Sequence, residues 1–427
     1  MKHLIDGKWT DGSPSQSVSP EHGVVHPGSF RRRVTRDGSS GFPIELNRYH
    51  LYVSHACPFS QRATIVWTLA GLAEAIDLSI LDPRWVQSDG WVFGESAMST
   101  KDNGGSGFAS LREAYLASDS KFTGRVSVPV LWDKATRTIV NNESLDIIRM
   151  LNDEFAPLGA VKSDLYPGPL HATIDALNDK TNQFLAGGVY NVAGAENQAA
   201  YDLATSRLFG FLDELEQTLI ESGPFLLGGK ITIADVLVFT ALVRFDPVYV
   251  PLFRIGGKRL SDFPALTAFV RRVFEIPGIA ETVLFDHILA HYFDSDWSIP
   301  PRRGIVPNLT QLTWYKAPGG KEDRGSRVAI FPLWQHLTTT LKYPLVVNRI
   351  GTRQCACSIP PDRVTRVSDL LEAGLDVRVT KIEVTRVRLC SSDVVRLDHL
   401  RMRGSHGATR SDAGDALVGC LTAGTRR

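Results

Sequence analysis

The sequence predicts an α/β domain followed by an all-α domain, and three observations carry that prediction. Residues 49–62 alternate like a strand and then take up a helical pattern. Short strand and helix signals keep alternating to about residue 156, and from Leu170 to about Phe293 helical periodicity dominates.

The stretch Tyr49-His50-Leu51-Tyr52-Val53-Ser54-His55-Ala56-Cys57-Pro58-Phe59-Ser60-Gln61-Arg62 organises the first domain. Pro58 stands where proline best opens a helix, because the first helical N–H has no partner to lose. Cys57 therefore sits at a helix N-terminus, facing unpaired N–H groups and the positive end of the helix dipole. Such a place favours a thiolate nucleophile. The alternative is a buried structural cysteine; the polar Ser54-His55 pair before it and the helix start after it favour the reactive reading.

After this strand (His50 to Val53) and helix (Phe59 to Ala70, stopped by Gly71), Ile76, Leu78 and Ile80 alternate as a second strand. A long loop from Asp82 to Gly107 follows. Phe108 to Ser118 reads as a helix, Val126 to Trp132 and Thr138 to Val140 as strands, and Ser144 as the cap of a helix running to Phe155. The order β-α-β-α-β-β-α is the thioredoxin-like pattern, with Cys57 where that pattern puts its nucleophile. Pro129 lies inside a β run, where proline is normally excluded. A cis Val128-Pro129 bond would explain it, leaving the Val128 backbone free to bind an extended peptide. Otherwise Pro129 is a trans proline on an edge strand. Glu143-Ser144 at a helix N-terminus is either a plain cap or a seat for a carboxylate. Together with Cys57 these residues imply a small peptide with a thiol and free carboxylates, which describes glutathione.

Composition narrows the rest. Hydrophobic residues make up 43% and charged residues 22%, and the formal net charge of +1 gives no argument for nucleic acid or anionic membrane. Of the five cysteines only Cys57 precedes residue 355, so no disulfide framework supports the main body. There is no apolar run of about 18 residues and no apolar signal core at the N-terminus, so no membrane span is expected and the cytosol is. Residues 1–48 are polar and turn-rich, an arm expected to wrap on the next domain through Trp9 and Phe30; Arg31-Arg32-Arg33 reads as solvated surface.

Prolines and glycines at 157–169 mark a linker. In the helical domain, placed at 170–325, His171 to Leu185, Gln198 to Glu221 and Pro264 to Phe274 read as helices. Phe209, Leu212, Leu215 and Leu219 form the core face of the second. Thr232 and Asp235 are spaced as a capping box. A thioredoxin-like domain at 49–156 followed by an all-helical one is the glutathione transferase architecture.

Here the resemblance becomes specific. The runs Leu4-Ile5-Asp6-Gly7, Arg48 to Ser54, Gly124 to Lys134, Asn142-Glu143-Ser144, Leu242 to Val250, Pro277 to Val283, Phe285 to Ile288 and His291-Tyr292-Phe293 resemble the Xi-class glutathione transferases, the glutathionyl-hydroquinone reductases. The resemblance covers residues 1–325 or so. It departs at Phe59-Ser60-Gln61-Arg62, where the family usually has Trp-Ala-His-Arg, and in the loop from Phe93 to Gly107.

The resemblance implies glutathione as co-substrate, lying between Cys57, Trp91, Val128, Pro129, Glu143 and Ser144. It implies Tyr190, Tyr249 and Tyr292 along an aromatic substrate pocket, a Cys57–glutathione mixed disulfide, no metal, and a homodimer. Omega-like thiol transfer or dehydroascorbate reduction, and a non-catalytic glutathione-binding module, stay open beside it. Residues 326–427 are arginine-rich, carry four of the five cysteines and do not match the family. Cys355-Ala356-Cys357 lacks a second pair for zinc. The tail is expected to be poorly ordered and to take no part in the chemistry.

Overall fold

The computed structural model describes residues 2–11, 29–94, 96–161 and 164–296, and the backbone of 17–19, 23–25, 381–390, 394–403 and 420–421. The chain divides into two compact units, Met1–Ile330 and Phe331–Arg427.

The first unit opens with a hairpin, β1 (Lys2–Ile5) and β2 (Lys8–Asp11), turned by Asp6 and Gly7, both at positive φ. A Cβ on Gly7 would lie 2.2 Å from the Ser120 carbonyl oxygen, so the turn requires glycine. Leu4 exchanges hydrogen bonds with Gly124, and Phe30 stacks on Phe122 at 5.4 Å, so the arm does wrap on the next domain. A second short pair follows, β3 (Ser17–Ser19) with β4 (Gly23–Val25).

The four-stranded sheet has the order β6-β5-β7-β8, built from β5 (Tyr49–Val53), β6 (Asp77–Ile80), β7 (Val130–Asp133) and β8 (Thr138–Asn141). β5 and β6 run parallel across helix α1 (Pro58–Leu69), while β7 lies antiparallel to β5 and β8 to β7. Alternation sorts the strands' side chains between two cores. Leu51, Val53, Leu131 and Val140 face α1 and α3 (Ser144–Asn152), whereas Tyr52, Val130, Trp132 and Ile139 face α2 (Leu111–Ser118). Covered on both faces, β5 is buried throughout.

The first domain departs from the sequence reading at three points. The strand after Gly124 starts at Val130, because Pro129 cannot donate to the ladder. Glu143 is the N-cap of α3 and Ser144 its first helical residue. The loop after β6 is pinned by Asp102, whose carboxylate accepts the Tyr52 hydroxyl at 2.9 Å and the N–H groups of Gly104, Ser106 and Phe108.

Helices α4 (His171–Lys180), α5 (Gly188–Ala193), α6 (Gln198–Ser222), α7 (Ile233–Leu242), α8 (Val250–Leu252), α9 (Pro264–Phe274) and α10 (Phe285–Asp294) form the second layer. The expected helix to Leu185 passes at Thr181 into a π-helical segment, Thr181–Ala186, and a second such segment spans Phe245–Tyr249. On α6, Leu208, Phe211, Leu212, Leu215 and Leu219 turn inward, and Phe209 stays half-buried at the edge. All ten residues of α7 are buried. Asp235 accepts the Thr232 N–H at 2.7 Å, as the capping box requires, and the Leu226 N–H at 2.8 Å. Helix α1 is shared between the layers: Ala63 and Val66 pack in the sheet core, Ile65 in the helical one.

In the second unit β9 (Lys381–Cys390) and β10 (Val394–Arg403) pair antiparallel, with β11 (Cys420–Leu421) beside β10. Cys355-Ala356-Cys357 and the rest of the tail lie outside the described residues.

Candidate active site

β5 ends at Val53, and the turn Ser54-His55-Ala56 delivers Cys57 to the N-cap of α1, with Pro58 as the first helical residue. The Cys57 carbonyl accepts the Gln61 N–H at 3.0 Å, so the cysteine is half in the helix. Its thiol is half-buried and points at the Val128 carbonyl, 3.8 Å away. The Val128–Pro129 bond is cis, and Val128 stands outside the β7 ladder. Cys57 packs on the apolar cluster that holds Trp91 and Val128. Trp91 is 7% exposed, stacks on His291 at 5.1 Å and belongs to the core cluster against which Cys57 packs. The His291 ring is itself fixed, Nδ1 donating to the Pro83 carbonyl.

At the start of α3, the Glu143 N–H donates to Asn141 Oδ1 at 2.7 Å, and its carboxylate accepts no hydrogen bond from a described residue. Ser144 Oγ accepts from Arg62 Nη1 at 3.4 Å, and Arg62 Nη2 donates to Asn182 Oδ1 at 3.1 Å. Arg62 is 1% exposed, its Nε has no hydrogen-bond partner among the described residues, and its guanidinium lies 4.6 Å over the Phe59 ring. Burial pushes it down to about 10, against the opposing pull of Glu143 and Cys57. A free carboxylate for an ammonium, a helix N-terminus with Ser144 for a carboxylate, and the Val128 backbone beside a thiol suit the three parts of glutathione.

The three tyrosines converge from three elements. Tyr190 of α5 and Tyr292 of α10 bring their hydroxyls to 2.9 Å, and Tyr249 stands 3.5 Å from the same Tyr292 oxygen. Burial raises all three hydroxyls above the ordinary phenol value, Tyr190 and Tyr292 well above it, so each keeps its proton at neutral pH. Tyr190 leaves 39% of its surface exposed while its hydroxyl turns inward. A cleft of about 490 Å³ opens beside it, lined also by Phe184, Asn191, Leu203 and Arg207.

Sequence reasoning missed the arginines. Arg125 and Arg244 stand in the matched runs and Arg62 closes a departing one, and none of the three is assigned a role by the sequence reading. Arg125 is exposed, makes no ion pair with a described residue, and bears by its charge on Tyr190 and His291. Gln61, one of the departures, is 0% exposed and does not face the glutathione residues; its amide donates to the Thr282 carbonyl at 3.1 Å. Among the described residues no group of three or more His, Cys, Asp or Glu is arranged to hold a metal, and no helix is long and apolar enough to cross a membrane.

Comparison with known proteins agrees with this geometry. Residues 56–154 match the family model for the glutathione S-transferase N-terminal domain, and residues 198–272 that for the C-terminal domain. The chain is 42% identical over 312 residues to the glutathionyl-hydroquinone reductase YqjG of Escherichia coli, covering 72% of this chain and 94% of that one. The glutathione-bound structure of YqjG superposes with a TM-score of 0.64 at 41% identity, over 71% of this chain and 94% of that one. A Xi-class transferase from Natrialba magadii superposes with a TM-score of 0.67 at 37% identity, over 72% of this chain and 93% of that one. With its cysteine at the α1 N-cap and its tyrosines gathered across the helical layer, the chain belongs to the glutathione transferase family, as an enzyme of the Xi class.

Proposed function

We propose that the protein reduces glutathionyl-hydroquinones to hydroquinones, with glutathione as reductant and Cys57 as nucleophile. The observation that carries this reading is the pairing of a thiol at a helix N-terminus, 3.8 Å from Val128 O, with a cluster of buried phenols that keep their protons. The relative YqjG, a glutathionyl-hydroquinone reductase by name, supports the same substrate class.

In the proposed reaction the Cys57 thiolate attacks the glutathione sulfur of the substrate. An S–S bond forms and the aryl C–S bond breaks. The bonding pair stays with the ring carbon, which takes a proton from the tyrosine cluster. A second glutathione, as thiolate, attacks the glutathionyl sulfur of the mixed disulfide, releasing oxidised glutathione and the Cys57 thiolate. Ser144 and Glu143 hold the ends of the peptide, Val128 aligns its cysteinyl part, and Trp91 walls the site. The aromatic ring is placed against the phenols of Tyr190, Tyr249 and Tyr292.

The test is turnover of a glutathionyl-hydroquinone, compared with dehydroascorbate and a small mixed disulfide. Release of one hydroquinone per oxidised glutathione is the expected result. Reduction of dehydroascorbate without hydroquinone release overturns the reading in favour of an omega-like thiol transferase.

A further inference from the structure

We propose that Arg244 is a positioning residue that sets the nucleophile turn in register with the tyrosine cluster. The inference rests on the reading of Cys57 as nucleophile. Arg244 follows α7 and is 0% exposed. A guanidinium has five N–H donors, and all five are used. Nε donates to the Ala56 carbonyl at 3.2 Å; Nη2 donates to the carbonyls of Ala56 at 3.0 Å and His55 at 3.3 Å. Nη1 donates to Gln61 Oε1 at 2.5 Å and to the Thr240 carbonyl at 2.7 Å. Three of these bonds hold the two residues just before Cys57, and the fourth holds the first turn of the helix that Cys57 caps.

The main chain of Arg244 does the complementary work. Its carbonyl accepts the N–H groups of Val248 and Tyr249, each at 3.0 Å, at the turn that carries the Tyr249 phenol. One residue thus ties the backbone leading into Cys57 to the backbone presenting Tyr249. Gln61 extends the tie by donating to Thr282. No carboxylate pairs with Arg244 among the described residues, and a buried charge without a counter-charge is costly. Stability alone gives no reason to keep an arginine there; a fork that reaches two adjacent carbonyls, a side-chain amide and its own helix does. A lysine has three donors on one nitrogen and cannot span the same set.

The experiment uses the full chain with Arg244→Lys and Gln61→Leu. Three quantities are read per folded molecule, the folded fraction coming from circular dichroism. They are the rate at which oxidised glutathione modifies Cys57, and kcat and KM for a glutathionyl-hydroquinone. A misplacement of about 1 Å costs about 10²-fold in rate. Arg244→Lys is therefore expected to lower the modification rate and kcat by about that factor, with KM within about threefold. Gln61→Leu, which removes one of the five bonds, should lower them by a smaller factor in the same pattern. Unchanged rates per folded molecule, or a loss confined to KM, overturn the proposal. Should Arg244→Lys not fold, Gln61→Leu decides by the same criteria. Absence of hydroquinone turnover in the unmutated protein would count against the proposed function instead, and the Cys57 modification rate still tests Arg244.

Discussion

The Tyr292 hydroxyl lies 2.9 Å from that of Tyr190, although 102 residues separate them, and a third phenol, Tyr249, completes the cluster at 3.5 Å. Hydroxyls this close share protons in a line, so loss of one changes what its neighbours can donate. Tyr190 keeps part of its ring exposed, whereas Tyr249 and Tyr292 are buried.

Removing the Tyr292 hydroxyl as Tyr292→Phe keeps the ring and its packing. If the cluster supplies the ring proton, kcat should fall roughly tenfold or more, toward the 10²-fold at which the range for a lost general acid begins. Glutathione binding, assigned above by proposal to residues of the other layer, should stay within about twofold by titration calorimetry. Turnover unchanged from the unmutated protein in Tyr190→Phe, Tyr249→Phe and Tyr292→Phe alike would remove the tyrosines from the chemistry.

What the sequence made legible was local. Cys57-Pro58 announces a helix start within two residues, Pro129 announces an irregular strand by itself, and Thr232 with Asp235 announces a cap within four. What it hid depends on distant closure. Arg244 reaches Ala56 across 188 residues, and Gln61 reaches Thr282 across 221. Nothing in the neighbourhood of either residue points to such a partner. The π-helical segments were hidden for another reason. An extra residue in a turn barely disturbs a helical apolar pattern, so Thr181–Ala186 reads as a continuation of α4, although its Asn182 is what holds Arg62. The Asp102 loop resembled an unstructured span because its order comes from one carboxylate collecting N–H groups, with no periodicity to detect.

Asp235 offers a stability test away from the chemistry. It is 0% exposed and accepts hydrogen bonds from Leu226, the Thr232 N–H and the Thr232 hydroxyl. Asp235→Ala removes a helix cap and leaves buried donors unpaired, so a loss of about 2 kcal/mol or more is expected. Denaturant unfolding monitored by tryptophan fluorescence checks it; a change under about 0.5 kcal/mol, the scale of a surface substitution, would show that water replaces the carboxylate.

The histidines make the fold acid-sensitive. Burial holds His50, His287 and His291 down to about 4 and His55 to about 3, against an ordinary value of 6.5. Below pH 6.5 the unfolded chain therefore binds protons that the folded chain refuses, and stability falls as pH drops toward 4. Asp235, raised by burial to about 6 from 3.8, works the other way together with the raised carboxyls of Asp153, Asp246 and Asp286, while Asp37, Asp82 and Asp133, held below the ordinary value, work with the four imidazoles. Unfolding midpoints in guanidinium should be lower at pH 5 than at pH 7. His287→Gln, which removes one of the four, should reduce the difference; equal midpoints for the unmutated protein would contradict the sign.

Cys57 is the proposed nucleophile, and its modification and its replacement test that role. Incubation with oxidised glutathione should add one glutathione to the protein, located on Cys57 by peptide mass spectrometry. Cys57→Ser keeps the N-cap position and a hydrogen-bonding side chain, so the fold and glutathione binding should survive. It should lose both the adduct and hydroquinone release, because a serine hydroxyl does not form the alkoxide at neutral pH and cannot form a disulfide with the glutathione sulfur. The serine hydroxyl can still donate a hydrogen bond to a bound glutathione thiolate, so weak conjugation of glutathione to an electrophilic aromatic should appear where the unmutated protein shows none. Full hydroquinone reduction by Cys57→Ser would make the turn from Val53 to Pro58 a scaffold, and the reaction centre would have to be sought elsewhere.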